Sequence, residues 1–308
     1  MRLFVTGGTG FIGRPLCQAL VQAGHEVAVV TRAPEAQPRL AQGPGMATFV
    51  SWERGQWEGA LAEAKGIINL AGESIAAHRW TPRQKLRLWE SRVGLTHRLI
   101  EALSTSSRRP AVLLNASAVG YYGPRGDEEL TETAGPGQDF LGQLCQAWEA
   151  EARRAEALGL RVVRLRIGLV LAADGGALAK LLPPFRAFLG GPLGSGRQWW
   201  SWIHREDVLE LIQWALEHPD VSGPLNLTAP EPARMRELAA ALGAALRRPA
   251  WLPAPSVALR LLLGEMAEVL VSGQRAMPAA ALKGGYAFKY PHLQHALAAC
   301  LAAQQGTP

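Results

Sequence analysis

The sequence predicts an α/β fold, a doubly wound parallel sheet with helices on both faces, followed by a smaller C-terminal region. Three observations carry this expectation. Short apolar runs alternate with long stretches of helical period, the pattern of strands buried beneath crossover helices. A glycine-rich turn joins the first apolar run to the first helix. After Gly168 the texture changes: glycines and prolines crowd the interval from Gly175 to Gly196, and Trp199, Trp200 and Trp202 follow.

The elements can be justified in order. Leu3 to Thr6 is a short apolar run closed by glycines. A helical pattern continues through Phe11, Leu16, Leu20 and Val21 and stops at Gly24, where a left-handed residue is expected. Val27 to Val30 is unbroken and apolar, as suits a strand covered on both faces. Further strands are expected at Thr48 to Val50, Ile67 to Leu70, Val112 to Leu114 and Val162 to Leu165. One long helix is expected over about Pro82 to Leu103, with Thr81 as cap and Pro82 in the first turn. Another is expected over about Phe140 to Leu158. From about Pro230 the chain is rich in Ala, Leu and Pro, and reads as short helices with an extended piece near Phe288 to Tyr290.

Composition narrows the class. The 308 residues are 48% hydrophobic and 19% charged, which supports a sizeable core and argues against disorder. The net charge of +6 is spread along the chain without a dense Lys/Arg block. It reads as a basic surface that attracts anionic small ligands, with no nucleic-acid partner. Cys17, Cys145 and Cys300 are far apart, so neither a disulfide framework nor a zinc site is expected, as suits a reducing cytoplasm. His292 and His295 share a helix face but lack a third ligand nearby, so no metal is expected. The opening MRLFVTGGTG does not read as a signal peptide. No apolar run reaches the ~20 residues of a membrane span, so no membrane partner is expected; the richest stretch, Ser256 to Leu263, is short and contains Arg260.

Chemistry enters at Gly7, Gly10 and Gly13, spaced GxxGxxG between the first strand and the first helix. Glycines there permit a tight turn and let backbone approach a pyrophosphate, while the helix N-terminus offers N–H groups and a positive dipole end. Thr9, Phe11 and Ile12 complete this expected dinucleotide-binding loop. The second strand ends in Thr31-Arg32, with no carboxylate until Glu35 to grip ribose hydroxyls. A guanidinium suits a 2′-phosphate, with a hydroxyl beside it, so the expected cofactor is NADP(H). Leu70, Ala71 and Gly72 follow a strand with small residues that let backbone lie against the cofactor. Ser117, Tyr121 and Tyr122 follow Val112 to Leu114 and fall at the C-terminal sheet edge, where ligands bind in such folds.

These motifs, with RW at Arg79-Trp80, SR at Ser91-Arg92, WE at Trp148-Glu149, GGPLGSG with SWIH, and a GY-F-YP pattern near Gly285 to Pro291, resemble those of the extended short-chain dehydrogenase/reductases. Within that superfamily the chain is similar to the sugar-epimerase-like subgroup, NAD(P)-binding epimerase-family proteins with a distinctive C-terminal extension. The resemblance implies a Rossmann core, bound NADP(H) with Arg92 added to the cofactor set, and a substrate pocket built from later segments. The expected division is a cofactor domain over residues 1–230, with 168–205 contributing to the substrate cleft, and a helical extension over 231–308. The three tryptophans are expected to wall that cleft.

One departure bears on the reaction. Characterised relatives use a YxxxK pair, with Tyr as acid/base and Lys holding the nicotinamide ribose. Alignment on Trp148-Glu149 places Leu141 and Cys145 there. Ser117 with Tyr121 is then the expected catalytic pair, with Glu149 and His204 as other candidates. The expected function is an NADP(H)-dependent oxidoreductase or epimerase-like protein for a small carbonyl or sugar-like molecule. The alternative is a non-catalytic NADP(H) sensor or scaffold, and a homodimer is left open in either case.

Overall fold

In a computed structural model, which describes residues 1–37, 43–53 and 55–305, Arg2–Thr6 is strand β1, Gly13–Gln22 helix α1 and Glu26–Thr31 strand β2. Met46–Ser51 (β3), Trp57–Glu63 (α2) and Gly66–Asn69 (β4) follow. The first long helix is a composite: Pro82–Trp89 (α3), a π-helical turn over Glu90–Gly94, and Leu95–Thr105 (α4). Thr81 accepts a hydrogen bond from the N–H of Gln84 and caps α3 as the Thr-Pro pair predicts. Next come Val112–Ala118 (β5), the short Glu129–Leu130 (β6) and Phe140–Arg153 (α5), then Arg161–Ile167 (β7) and Leu169–Leu171 (β8). The annex contains Gly176–Arg186 (α6), Trp199–Trp200 (β9) and Trp202–His204 (β10). Arg205–Glu217 (α7) and Gly223–Leu227 (β11) return to the core. The remainder holds Ala233–Arg234 (β12), Met235–Leu246 (α8), Ser256–Leu263 (α9), Glu268–Val271 (α10), Arg275–Ala276 (β13), Ala279–Lys283 (α11) and Leu293–Gln305 (α12).

Seven parallel strands form the main sheet in the order β11-β7-β5-β4-β1-β2-β3. The order reverses beside β1, so the doubly wound expectation holds. Alternate side chains leave the sheet on opposite faces. Leu3 and Val5 meet Leu16 and Leu20 of α1 and Leu211 and Ile212 of α7. Phe4, Ile67 and Leu113 meet Trp57 and Leu61 of α2 and Leu99 and Leu103 of α4 on the other face. Both faces are therefore dry, which is why the strands read as continuous apolar runs. A separate annex core joins α6, α8 and α12 around Trp200, Trp202 and Met235.

Two features lie beyond the sequence expectations. Gly223–Leu227 is a sheet strand that the apolar pattern did not reveal; as the edge partner of β7 it tolerates Pro224. Residues Phe288 to Tyr290 form no strand. Instead, the backbone N–H groups of Lys289 and Tyr290 donate to the buried Asp207 carboxylate at 2.7 and 3.0 Å, and burial raises that carboxyl's pKa. The GY-F-YP motif is thus a clasp that fastens the C-terminal segment to the start of α7. Among the described residues no helix is long and apolar enough to cross a membrane.

Candidate functional site

The loop between β1 and α1 is shaped by contact on one side and open space on the other. Gly7 has φ +68°, and a Cβ there would lie 2.6 Å from the backbone of Leu70. A Cβ on Gly13 would lie 2.1 Å from the carbonyl of Gly7. Gly10 differs: an added Cβ meets only the Gly7 carbonyl, at 3.2 Å. Gly7 and Gly13 are therefore fixed by the fold, whereas Gly10 presents bare backbone outward beside the exposed Thr9. Helix α1 begins with no side-chain cap and no acidic residue in its first turn, so the positive end of its dipole is open to an anion, although the Arg14 N–H is already given to the Gly10 carbonyl at 2.9 Å and Pro15 has none. Phe11 packs against Gly175 and Gly176, with the Arg205 guanidinium 5.3 Å from its ring centre, and so ties this loop to the annex. Ile12 is half-buried at the N-cap position of α1.

The C-terminal strand ends are joined by a buried polar network. Thr6 donates to Asn69, and Asn69 donates to Asn115 at 2.6 Å and to Thr96 at 3.0 Å. Trp148 of α5 donates to the same Thr96 hydroxyl at 3.0 Å. This network aligns the ends of β1, β4 and β5 and sets the Leu70-Ala71-Gly72 turn, where the Ala71 N–H reaches Thr6. Arg92, in the π-helical turn, lies under Gly72 and donates to the carbonyls of Glu73 and Leu88 at 2.8 and 3.2 Å. A π-turn of this kind re-aims one side chain within an otherwise regular helix. Thr31 is half-buried and Arg32 exposed at the end of β2.

Ser117 lies in β5, its hydroxyl donating to the buried Glu149 at 2.8 Å. Glu149 forms a bidentate pair with Arg166 of β7, at 2.8 and 2.9 Å. Arg166 also donates to the Tyr122 hydroxyl and to the Glu132 carbonyl, and its guanidinium lies 3.5 Å from the centre of the Tyr121 ring. Tyr122 is fully buried and donates to Asn226; burial pushes its pKa up to about 12. Tyr121 is the half-exposed member of the pair, and among the described residues its hydroxyl makes no hydrogen bond. Leu141 packs against Gly120, while Cys145 is buried with its pKa pushed up to about 12, first by burial and then by Glu149. A thiol held there stays protonated at neutral pH.

The remaining candidates have structural partners. His204 caps α7 by accepting from the Glu206 N–H at 3.2 Å, and its ring packs at a tilt against Tyr290 with the ring centres 3.9 Å apart. Burial lowers its pKa to about 4, so the ring is a neutral cap. Trp200 and Trp202 lie inside the annex core, Trp202 donating to the Glu231 carbonyl, so these two glue the annex together rather than wall a cleft. Trp199 is half-buried between the guanidinium groups of Arg234 and Arg275 and donates to Asp127. The sequence reading missed Asn115, Thr96, Asp207 and the Glu149–Arg166 pair as a unit. One signal was present: Arg164 and Arg166, at alternate positions of a strand whose other interior residues, Val162, Val163 and Leu165, are apolar, require a buried counter-charge.

A family profile described as the NAD dependent epimerase/dehydratase family matches residues 3–227, and a domain of unknown function (DUF1731) matches 254–300. The chain is 41% identical over 303 residues to the chloroplastic SDR39U1 homolog of Arabidopsis thaliana, an epimerase family protein, covering 98% of this chain and 87% of the relative. It is 38% identical over 305 residues to the epimerase family protein YfhF of Bacillus subtilis, covering 98% of each. The crystal structure of human epimerase family protein SDR39U1 with NADPH superposes with a TM-score of 0.87 at 35% identity, covering 98% of this chain and 99% of that one.

Proposed function

Because the chain belongs to the NAD dependent epimerase/dehydratase family, we propose that it binds NADP(H) along the C-terminal edge of the sheet and acts there on a small carbonyl or sugar-like substrate. The observation that carries the cofactor reading is the glycine loop, with Gly10 open to the outside over an uncapped helix N-terminus. The exposed Arg32 beside Thr31, with no carboxylate before Glu35, supports a 2′-phosphate in place of a ribose hydroxyl. The NADPH held by the human relative supports the same choice. When bound, the nicotinamide supplies or takes a hydride. The chain's own residues orient the reactants and handle the proton. Tyr121 is the assigned proton donor, since its hydroxyl is uncommitted and half-exposed. Ser117 directs its proton to Glu149, so toward a substrate it can only accept a hydrogen bond. Its assigned part is to position a substrate hydroxyl. Thr9, Phe11, Ile12, Leu70, Ala71, Gly72 and Arg92 complete the assigned cofactor shell.

Two variants test the cofactor assignment. Gly10→Val adds a branched side chain on the open side of the loop. We expect NADPH affinity to fall by about a hundredfold or more with the circular dichroism spectrum unchanged; wild-type affinity in a folded variant contradicts the site. Arg32→Ala removes a charge-assisted phosphate contact worth about 1.5–3 kcal/mol, so NADPH should weaken roughly ten- to hundredfold while NADH is unaffected. Equal loss for both cofactors contradicts the role of Arg32.

A second reading, a non-catalytic NADP(H) sensor, is favoured by one observation: the acid/base positions of the family's usual pair carry Leu141 and the protonated, buried Cys145. It expects no loss of NADPH absorbance across a broad carbonyl panel on long incubation, whereas the enzyme reading expects turnover of at least one member.

A further inference from the structure

Helix α9 has no buried residue. Val257, Leu261 and Leu262 are 68%, 73% and 71% exposed, and with the exposed Ala258 they form one stripe along the helix. A short helix with its apolar stripe open to water draws little stability from propensity alone and calls for a covering surface. The segment entering α9 adds Trp251, 66% exposed. The Leu252 N–H donates to the Gly190 carbonyl at 3.1 Å, which brings the exposed Phe188 and Leu189 alongside. These side chains make an apolar surface on the order of several hundred Å², as large as the largest patch that a monomeric soluble protein ordinarily shows.

The charge around the patch selects its occupant. No Asp or Glu occurs between Glu237 and Glu265, while Arg247 and Arg248 do. None occurs between Asp174 and Glu206 either, and the Arg248 guanidinium lies 4.4 Å from the centre of the Phe188 ring. The carboxylates just beyond α9 are already paired, Glu265 with Lys85 and Glu268 with Arg260. Two copies meeting through this face would set the same cations against each other with no carboxylate from either segment between them. A layer of anionic headgroups over acyl chains meets both needs. We propose that α9 and the turn at Phe188-Leu189 form a docking surface for an anionic phospholipid membrane. The helix lies in the headgroup layer, with Trp251, Leu261 and Leu262 toward the acyl chains and the arginines among the phosphates. Eight residues are too few to span a bilayer, so the association is peripheral and reversible.

The test is co-sedimentation of the full chain with vesicles of phosphatidylcholine alone and with about a third phosphatidylglycerol, at low and high salt. We expect binding to the anionic vesicles at least tenfold tighter than to the neutral ones, weakened by salt. Leu261→Glu combined with Leu262→Glu should abolish it, and Arg247→Gln with Arg248→Gln should weaken it severalfold. Both double variants should keep wild-type NADPH affinity, which separates this result from failure of the cofactor reading. Equal affinity for both vesicle types overturns the proposal. So does a stable dimer in sedimentation velocity that the double glutamate variant dissociates, since the patch would then be covered by a second copy.

Discussion

Glu149→Ala should destabilise the fold by about 3–5 kcal/mol, the range for breaking one side of a buried ion pair. Glu149 is 1% exposed and Arg166 3%. The carboxylate accepts two hydrogen bonds from Arg166 and one from Ser117, and the Arg164 guanidinium stands 3.9 Å away. Removing it leaves a buried guanidinium without its counter-charge and frees the Ser117 hydroxyl. Arg166 would keep only Tyr122 and the Glu132 carbonyl, both neutral acceptors. Glu149→Gln preserves the shape and one acceptor and should cost less. Urea unfolding followed by circular dichroism measures the difference. A loss below about 1 kcal/mol for the alanine variant would mean that water or rearrangement compensates Arg166 and that the pair does not hold the strand ends in place.

The second large effect is on rate. Losing a positioned proton donor costs about 100- to 10,000-fold. Under the enzyme reading, Tyr121→Phe should lower kcat by that order while NADPH affinity stays within about twofold of wild type. The ring sits on the Arg166 guanidinium, so phenylalanine keeps the same stacked position and the change is confined to the hydroxyl. Tyr122→Phe is the control: its hydroxyl is buried against Asn226 and Arg166, and its loss should affect stability before rate. Steady-state kinetics on any turned-over carbonyl decides the matter. Undiminished kcat in Tyr121→Phe removes Tyr121 from the reaction.

The first half of the fold was legible because its rules are local. Gly7 and Gly24 sit at positive φ where a strand-to-helix turn and a helix stop need them, and Val27 to Val30 reads as apolar because both faces of β2 are covered. Gly223–Leu227 was not legible, since five residues opening with Gly-Pro resemble a loop until β7 is beside them. The π-turn at Glu90–Gly94 left no periodic mark, although it determines where Arg92 points. The network at the strand ends was hidden for a different reason. Thr6, Asn69 and Asn115 are 63 and 46 residues apart in succession, and only sheet order and register make them neighbours. Glycine spacing marked the loop proposed for the cofactor, and the residues at 141 and 145 carried the departure from the family's usual pair. What Ser117 bonds to could not be read, because its partner Glu149 lies 32 residues on and is held in turn by Arg166.

We propose that this chain holds NADP(H) on the Gly7–Gly13 loop, with Arg32 selecting the 2′-phosphate. Calorimetric titration of the full chain with NADPH and with NADH tests it most directly. One site per chain is expected, with NADPH binding tighter by roughly ten- to hundredfold, the equivalent of one charge-assisted phosphate contact. Equal affinities, or no heat with either cofactor, would contradict it.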